Sequence, residues 1–222
     1  MIPPVSSSAL CSPRPACPRC QRPLRACLCR WITPTANRVA VLILQHPQEQ
    51  HHAKGSLRLL RLSLAHCRVE VSASFEADSL RSWLEAPWPE SGSGPPICLL
   101  LYPVAAREMP PPSGPPMAAT LSPHGGQRLV LLDGTWRQTR QMLREHPKLQ
   151  QLPRCALPAP LPSRYTIRKA QRPDQRSTLE AACLALGSLE GRPAAYAPLL
   201  SAFDGWVAQS LGLYAAADDA RV

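Results

Sequence analysis

The chain has 222 residues, 45% hydrophobic and 18% charged, which is enough for one domain with a sizeable core and a small appendage. No stretch approaches the roughly 18 uninterrupted apolar residues of a membrane helix, and no secretory signal is visible, so we expect a cytoplasmic protein. The net charge is +10 and 22 of the 25 basic residues are arginine, which favours a polyanionic partner, although a GC-rich genome also raises arginine content.

The first 33 residues divide into two predicted parts. Residues 1–16, rich in proline and serine, are expected to form a flexible leader, and residues 17–33 a compact knuckle. The knuckle has the spacing C-x2-C-x6-C-x-C, which offers four thiolates to one tetrahedral zinc ion, from Cys17, Cys20, Cys27 and Cys29. Such a zinc would be structural, because four thiolates leave no open position for catalysis. The alternative is four incidental thiols, as we expect for Cys11, Cys67, Cys98, Cys155 and Cys183.

Residues 34–222 alternate short apolar strands with helices. Strands are predicted at 38–45, 67–71, 97–102, 128–132 and 165–167. Helices are predicted at 56–66, 80–86, from 136 to just before Pro147, at 177–189 with Ser177 and Glu180 as a capping box and Gly191 as the stop, and at 199–214. This order indicates an α/β fold with a mainly parallel sheet and flanking helices, interrupted by a proline-rich insertion at about 103–123.

Parallel sheets bind ligands at the carboxyl ends of their strands. We therefore expect the functional residues at 46–56 and 133–136. The second of these loops follows a buried strand and supplies a carboxylate, a glycine, a hydroxyl and an indole in consecutive positions, Asp133 to Trp136. With CPRC and CLC at 17–29, HPQE at 46–49, LLDGTW at 131–136, SRYTIR at 163–168 and STLEA at 177–181, the chain resembles the DTW-domain family along most of its length. It departs from the family at Ser56, where threonine is expected; serine keeps the hydroxyl that caps a helix.

The resemblance implies a fold related to the knotted SPOUT enzymes and a reaction on RNA. Family members look like tRNA-uridine aminocarboxypropyltransferases, which move the 3-amino-3-carboxypropyl group of S-adenosylmethionine to N3 of a tRNA uridine and leave methylthioadenosine. The implied co-substrate site comprises Leu132, Asp133, Gly134, Thr135, Trp136, Thr178 and Glu180. The trefoil knot rests on the resemblance alone, since general topology rules disfavour knots.

Two carboxylates are the candidate catalytic groups. Uridine N3 is a poor nucleophile until its proton leaves, so Asp133 is predicted to act as a general base or to orient the substrate. The alternative for Asp133 is helix capping. Glu49 is the single acid among residues 1–61 and is predicted to orient an arginine or the substrate, with a solvated loop position as the alternative. Trp136 is predicted to stack on adenine or uracil, with core packing as the alternative.

RNA contacts are predicted from two basic segments. Arg137 and Arg140, with Arg144, are three and four positions apart and share one helix face. The segment 163–169 combines a stacking aromatic with backbone-binding cations, namely Arg164, Tyr165, Arg168 and Lys169. The alternative for the segment 163–169 is a solvated basic face. The oligomeric state stays open between monomer and homodimer.

Two other functions fit the same residues. The first is a SPOUT-type RNA methyltransferase using the same co-substrate, which would release S-adenosylhomocysteine. The second is a non-catalytic zinc and RNA-binding module, which would bind tRNA without binding S-adenosylmethionine. A non-catalytic module of this kind would not explain the Asp-Gly-Thr-Trp loop.

Overall fold

The computed structural model describes residues 15–50, 52, 55–87, 95–103, 126–155, 157 and 176–219. Within them, five strands form one sheet in the order β2-β1-β4-β3-β5, and every pairing between neighbouring strands is parallel. The strands are β1 (Ala40–Gln45), β2 (Cys67–Val71), β3 (Ile97–Leu101), β4 (Gln127–Asp133) and β5 (Arg154–Cys155). The predicted α/β architecture with a parallel sheet is therefore confirmed.

Seven α-helices flank the sheet in the described part of the chain. They are α1 (Pro47–Gln50), α2 (Leu57–Ser63), α3 (Ala77–Glu85), α4 (Trp136–Glu145), α5 (Pro147–Gln151), α6 (Thr178–Leu189) and α7 (Ala197–Asp219). Three single 3₁₀ turns lie at Leu24–Ala26, Cys29–Trp31 and Pro193–Tyr196. In the residues that the structure describes, no helix has both the length and the apolar character needed to cross a membrane.

The two faces of the sheet pack against different helices, and this explains the continuous apolar runs. Every residue of β1 is buried, because its alternate side chains enter separate cores. Val41 and Ile43 face a core shared with α2, α6, α7 and the knuckle, whereas Leu42 and Leu44 face a core shared with α3, α4 and α5. The central strands therefore fix the carboxyl edge of the sheet between two helical layers.

Several element boundaries differ from the sequence prediction. Helix α4 ends before Pro147 as predicted, but Pro147 then opens the separate short helix α5, since proline is well accommodated in a first turn. Helix α2 ends at Ser63 rather than at 66. Ser56 is its N-cap residue as predicted, but the Ser56 hydroxyl makes no capping bond, so the role expected of that hydroxyl is wrong. Gly191 has φ +62° just after α6, which confirms it as the helix stop. The strand predicted at 165–167, the leader through residue 14 and the insertion from 104 lie outside the described residues.

The C-terminal end of helix α6 is attached to the amino end of β1 by a buried carboxylate. Oε1 of Glu190, the C-cap of α6, accepts hydrogen bonds from the backbone N–H groups of Arg38 (2.6 Å) and Val39 (2.9 Å). These are the amides that lead into the first strand. The contact fixes where β1 begins relative to the helix that covers it.

The knuckle packs onto α7 through an aromatic ring and a glycine. The indole N–H of Trp31 donates to Oε1 of Gln209 at 2.5 Å, and the ring lies directly over Gly205. A Cβ atom built at Gly205 would lie within 3.0 Å of three Trp31 ring carbons. Arg22 adds a cation–π contact, with its guanidinium carbon 5.4 Å from the centroid of the Trp206 ring.

Gly205→Ala is expected to reduce the free energy of unfolding by about 1–3 kcal/mol, because the added methyl overpacks the Trp31 contact. Gly212→Ala is the matched control on the same helix, since nothing lies within 4 Å of a Cβ at that position. Alanine there should be neutral or stabilising by up to about 1 kcal/mol. Urea unfolding of both variants measures the difference, and equal stabilities would contradict the packing argument.

Candidate active site and metal centre

The carboxylate of Asp133 is held at the carboxyl edge of the sheet by two side-chain donors. Asp133 ends β4 and pairs in register with Gln45, the last residue of β1. Nε2 of Gln45 donates to Oδ2 at 2.8 Å, and Oγ1 of Thr178 donates to Oδ1 at 2.6 Å. A carboxylate offers about four acceptor positions, so the group can also take a proton or a hydrogen bond from a ligand. Asp133 is half-buried, as a group at the edge of a cleft would be.

The helix-capping function belongs to Thr135 instead of Asp133. The Thr135 hydroxyl accepts from the backbone N–H of Gln138 at 3.4 Å, and Oε1 of Gln138 accepts from the Thr135 N–H at 2.7 Å. These two bonds form a reciprocal capping box at the start of α4. The geometry therefore does not support capping as the explanation of Asp133, and it ties Thr135 to its own helix.

Gln138 also connects the two loops at this edge. Its Nε2 donates to Oε1 of Gln48 at 2.7 Å and lies 3.1 Å from Nδ1 of His46. Nδ1 of His46 also faces the backbone N–H of Gln48 at 3.3 Å. With donors at Nδ1, a neutral imidazole is assigned its proton on Nε2. Glu49 is half-buried in α1, and its backbone N–H donates to the His46 carbonyl at 3.0 Å.

Gly134 lets the two loops approach closely. A Cβ atom at this position would lie 3.2 Å from both Cβ and Oε1 of Gln138 and 3.5 Å from Cβ of His46. A side chain would therefore push against the capping box and the first loop together. The close approach accounts for the glycine between Asp133 and Thr135, and contact with a co-substrate stays a prediction for both Gly134 and Leu132.

Trp136 opens α4 with its ring 42% exposed, so core packing does not explain it. The ring of Tyr102, just beyond β3, packs edge-on against it, with centroids 5.9 Å apart and planes at 74°. On the other side, the guanidinium carbon of Arg154 lies 5.3 Å from the Tyr102 ring centroid. Tyr102 therefore contacts both Trp136 and Arg154, beside the loop at residues 133–136 (the Asp133 loop). Of these three residues, only Trp136 was predicted from the sequence to belong to the site.

The start of α6 completes the site. The Ser177–Glu180 capping box is confirmed: Oε2 of Glu180 accepts from the Ser177 N–H at 3.0 Å and from its hydroxyl at 2.9 Å. Glu180 is buried, and these bonds fix the helix start that carries Thr178 to Asp133. A direct contact of Thr178 or Glu180 with a co-substrate stays a prediction.

The predicted RNA-contacting residues are only partly described. Arg137, Arg140 and Arg144 are all exposed along α4, which begins at the Asp133 loop. The segment with Arg164, Tyr165, Arg168 and Lys169 lies outside the described residues. The basic face of α4 is therefore the part of the RNA prediction that has a known position.

The four knuckle cysteines converge on one point. Their sulfur atoms all lie within 4.8 Å of one another, with 3.6 Å between those of Cys17 and Cys29 and 3.7 Å between those of Cys20 and Cys27. A tetrahedral zinc with bonds of about 2.3 Å places its sulfurs about 3.8 Å apart, so the cluster has the dimensions of a zinc site. The cluster could hold a metal ion.

Local electrostatics favour a thiolate at Cys17, whereas burial raises the pKa of Cys29 in the same cluster to about 12. The backbone N–H groups of Cys20 and Arg19 lower the pKa of Cys17 to about 6. In contrast, burial raises the pKa of Cys155 to about 11 and that of Cys183 to about 12. Cys98, Cys155 and Cys183 are buried and Cys67 is half-buried, as predicted for thiols outside the cluster, and Cys11 lies outside the described residues.

Comparison with known proteins identifies the family of this chain. Residues 14–211 match the DTW domain. The chain belongs to the DTW-domain family. It is 31% identical over 182 residues to tRNA-uridine aminocarboxypropyltransferase 2 of Drosophila melanogaster, covering 81% of this chain and 68% of that one. It is 29% identical over 187 residues to the proteins of the same name from Macaca fascicularis and Mus musculus, covering 80% of this chain and 57% of each relative.

The chain thus spans little more than half the length of two of the DTW-domain relatives that it matches. No solved structure gives a significant match to it. The family assignment therefore rests on sequence over nearly the whole chain.

Proposed function

We propose that the protein is a tRNA-uridine aminocarboxypropyltransferase that uses S-adenosylmethionine and acts at N3 of a tRNA uridine. The observation that carries the proposal is the oriented Asp133 carboxylate beside the exposed Trp136, at the carboxyl edge of a parallel sheet. The DTW-domain relatives bear the name of this activity, which supports the same function. A methyltransferase would use the same scaffold and differ only in which carbon of the sulfonium faces the uridine.

In this mechanism Asp133 takes the N3 proton of uridine. Gln45 and Thr178 hold its two oxygens in place, so the carboxylate keeps a fixed orientation toward the acceptor. Bound S-adenosylmethionine supplies an electrophilic methylene carbon; N3 bonds to that carbon, the carbon–sulfur bond breaks, and its electron pair stays on the sulfur of methylthioadenosine. Trp136 offers a flat apolar surface to the uracil or the adenine.

Two further contributions to this site are proposed. Glu49, half-buried one turn from His46, orients the substrate or an arginine at the same edge. Leu132, Gly134, Thr135, Thr178 and Glu180 bring the co-substrate against Asp133. The capping bonds of Thr135 and Glu180 give these residues a positioning role at the least.

The cysteine cluster is proposed to bind one structural zinc ion. The separations between the four sulfur atoms support thiolate ligation. The site is attached to the core, because the Cys20 carbonyl accepts from Arg58 at 2.6 Å and both Cys17 and Cys20 are buried. We retain a four-cysteine zinc knuckle at 17–33 followed by the catalytic domain at 34–222 as the proposed organisation.

The exposed arginines of α4 are proposed to bind tRNA phosphates. Arg140→Ala should weaken tRNA binding and make the slope of log K against log salt less negative by about 1, as for the loss of one phosphate contact. Arg192→Ala is the control, because Arg192 is exposed near Glu190, at the amino end of β1. Filter binding at several salt concentrations measures the slope, and an unchanged slope for Arg140→Ala would refute the contact.

Three broader assignments rest on the resemblance and are proposed with it. They are a relation to the SPOUT enzymes including their knot, a cytoplasmic location and RNA contacts from Arg164, Tyr165, Arg168 and Lys169. The parallel sheet with its ligand edge at β1 and β4 supports the first of these.

Nucleoside mass spectrometry tests the proposed function. Unmodified tRNA is incubated with the purified protein and S-adenosylmethionine, and the small-molecule product is analysed in the same tube. We expect a uridine heavier by one aminocarboxypropyl group together with methylthioadenosine. A methylated base with S-adenosylhomocysteine would assign the methyltransferase reaction instead, and tight tRNA binding without any product would leave a binding module.

A further inference from the structure

Arg154 has a buried nitrogen that no described residue of the chain hydrogen-bonds. Among the described residues, its Nη1 atom is inaccessible to solvent and makes no hydrogen bond. The guanidinium is held by the ring of Tyr102, whose hydroxyl lies 3.4 Å from Oγ1 of the buried Thr139. A buried cationic donor without a partner is costly unless a ligand satisfies it.

The position of Arg154 connects this donor with the proposed active site. Strand β5 pairs with β3, placing Arg154 opposite Leu100, and β3 pairs with β4, placing Leu101 opposite Leu131. Tyr102 therefore follows β3 at the level of Leu132, one residue before Asp133. Two strand spacings, about 10 Å, separate β5 from β4, and the Tyr102–Trp136 contact bridges that gap.

The ligand that would suit the buried Nη1 of Arg154 is a small anion. A guanidinium binds a carboxylate through parallel hydrogen bonds, and it does so more strongly where water is excluded. A phosphate of folded RNA stays on the surface of a large polyanion, whereas Nη1 lies inside the protein. The proposed donor carries an α-carboxylate at the far end of the group that it transfers.

We propose that Arg154 binds the carboxylate of the aminocarboxypropyl group of S-adenosylmethionine, with Tyr102 holding the guanidinium in place. This inference rests on the proposed function. Anchoring the carboxylate beside the Trp136 ring would direct the methylene carbon, rather than the methyl, toward the acceptor at Asp133. Arg154 would then help determine which group is transferred.

Calorimetric binding of two ligands tests the proposal. Methylthioadenosine lacks the aminocarboxypropyl group but shares the rest of S-adenosylmethionine. Arg154→Met should lower the affinity for S-adenosylmethionine about 10- to 100-fold and leave that for methylthioadenosine unchanged. Arg154→Lys keeps the positive charge but loses the parallel N–H donors of the guanidinium. Its affinity for S-adenosylmethionine should lie between those of the wild type and Arg154→Met. Arg81→Met is the matched control, an exposed arginine on α3 paired with Asp78.

The remaining outcomes overturn the inference in distinguishable ways. Equal losses for both ligands in Arg154→Met would assign Arg154 a structural role. Weaker tRNA binding with unchanged affinity for S-adenosylmethionine would make it a phosphate contact. Wild-type protein that binds neither small ligand would refute the proposed function itself, whereas a failure confined to Arg154→Met leaves that function standing.

Discussion

Asp133→Asn is expected to reduce the single-turnover rate of aminocarboxypropyl transfer about 10²- to 10⁴-fold, the range for loss of a positioned general base. The amide has nearly the same shape but is not a useful base for the N3 proton. Thr178 can still hydrogen-bond to the new side chain, because a hydroxyl accepts as well as donates. The variant should therefore remain folded, and rapid-quench assays at saturating tRNA and S-adenosylmethionine measure the loss.

Substitutions at Thr178 separate the base role from simple integrity of the loop. Thr178→Ser keeps the donor to Oδ1 of Asp133 and should retain most of the rate, whereas Thr178→Val removes it and should lower the rate by an intermediate factor. Melting temperatures of all three variants are the control for folding. Wild-type single-turnover rates in Asp133→Asn would refute the base role, whatever the Thr178 variants do.

Removal of zinc is expected to have the largest effect on stability. Zinc binding contributes about 10–16 kcal/mol in isolated zinc-finger peptides, and here part of that stabilisation is coupled to docking on α7. Cys20→Ser should abolish the single bound zinc and lower the melting temperature strongly, because Cys20 is fully buried within the core. Elemental analysis and thermal unfolding measure the two changes.

Cys98→Ser is the matched control for the loss of a thiol. Cys98 is also buried but lies outside the cluster, and its sulfur donates to the Leu84 carbonyl at 3.2 Å, a bond that serine can replace. This variant should keep its zinc and most of its stability. A purified wild-type protein without zinc, with undiminished stability in chelator, would contradict the structural role of the cluster.

The central strands and the placement of the site could be read from the sequence because their signals are local. The apolar runs at the centres of β1 and β4 are buried on both faces, so no alternation is required for them to be recognised. Strand ends then place HPQE and DGTW at one edge. The cysteine spacing similarly predicts convergence, because Cys17 to Cys29 need only a few turns to meet.

Other features depend on contacts distant in sequence and gave no local signal. Strand β5 has only two residues, and only pairing with β3 defines it as a strand. Arg154 and Tyr102 both lie in proline-rich sequence and match no motif. They come into contact only because β5 joins the sheet. We did not predict a role for Gln45, because it ends an apolar run. A polar residue buried at that position was nevertheless a signal of function. The Thr135–Gln138 pair, by contrast, carries a recognisable capping-box signature that the prediction overlooked.

Helix α6 is attached to β1 at both of its ends, and this affects how the active site responds to ligand. Helix α6 has 12 residues and is about 18 Å long; β1 has six and is about 20 Å long. Glu190 joins them at one end, and the Thr178–Asp133–Gln45 chain joins them at the other. Helix and strand therefore form a closed frame that resists sliding or rotation of α6. The Asp133 carboxylate is oriented without any ligand, so in the proposed reaction the binding energy of the substrate would be left for positioning the uridine.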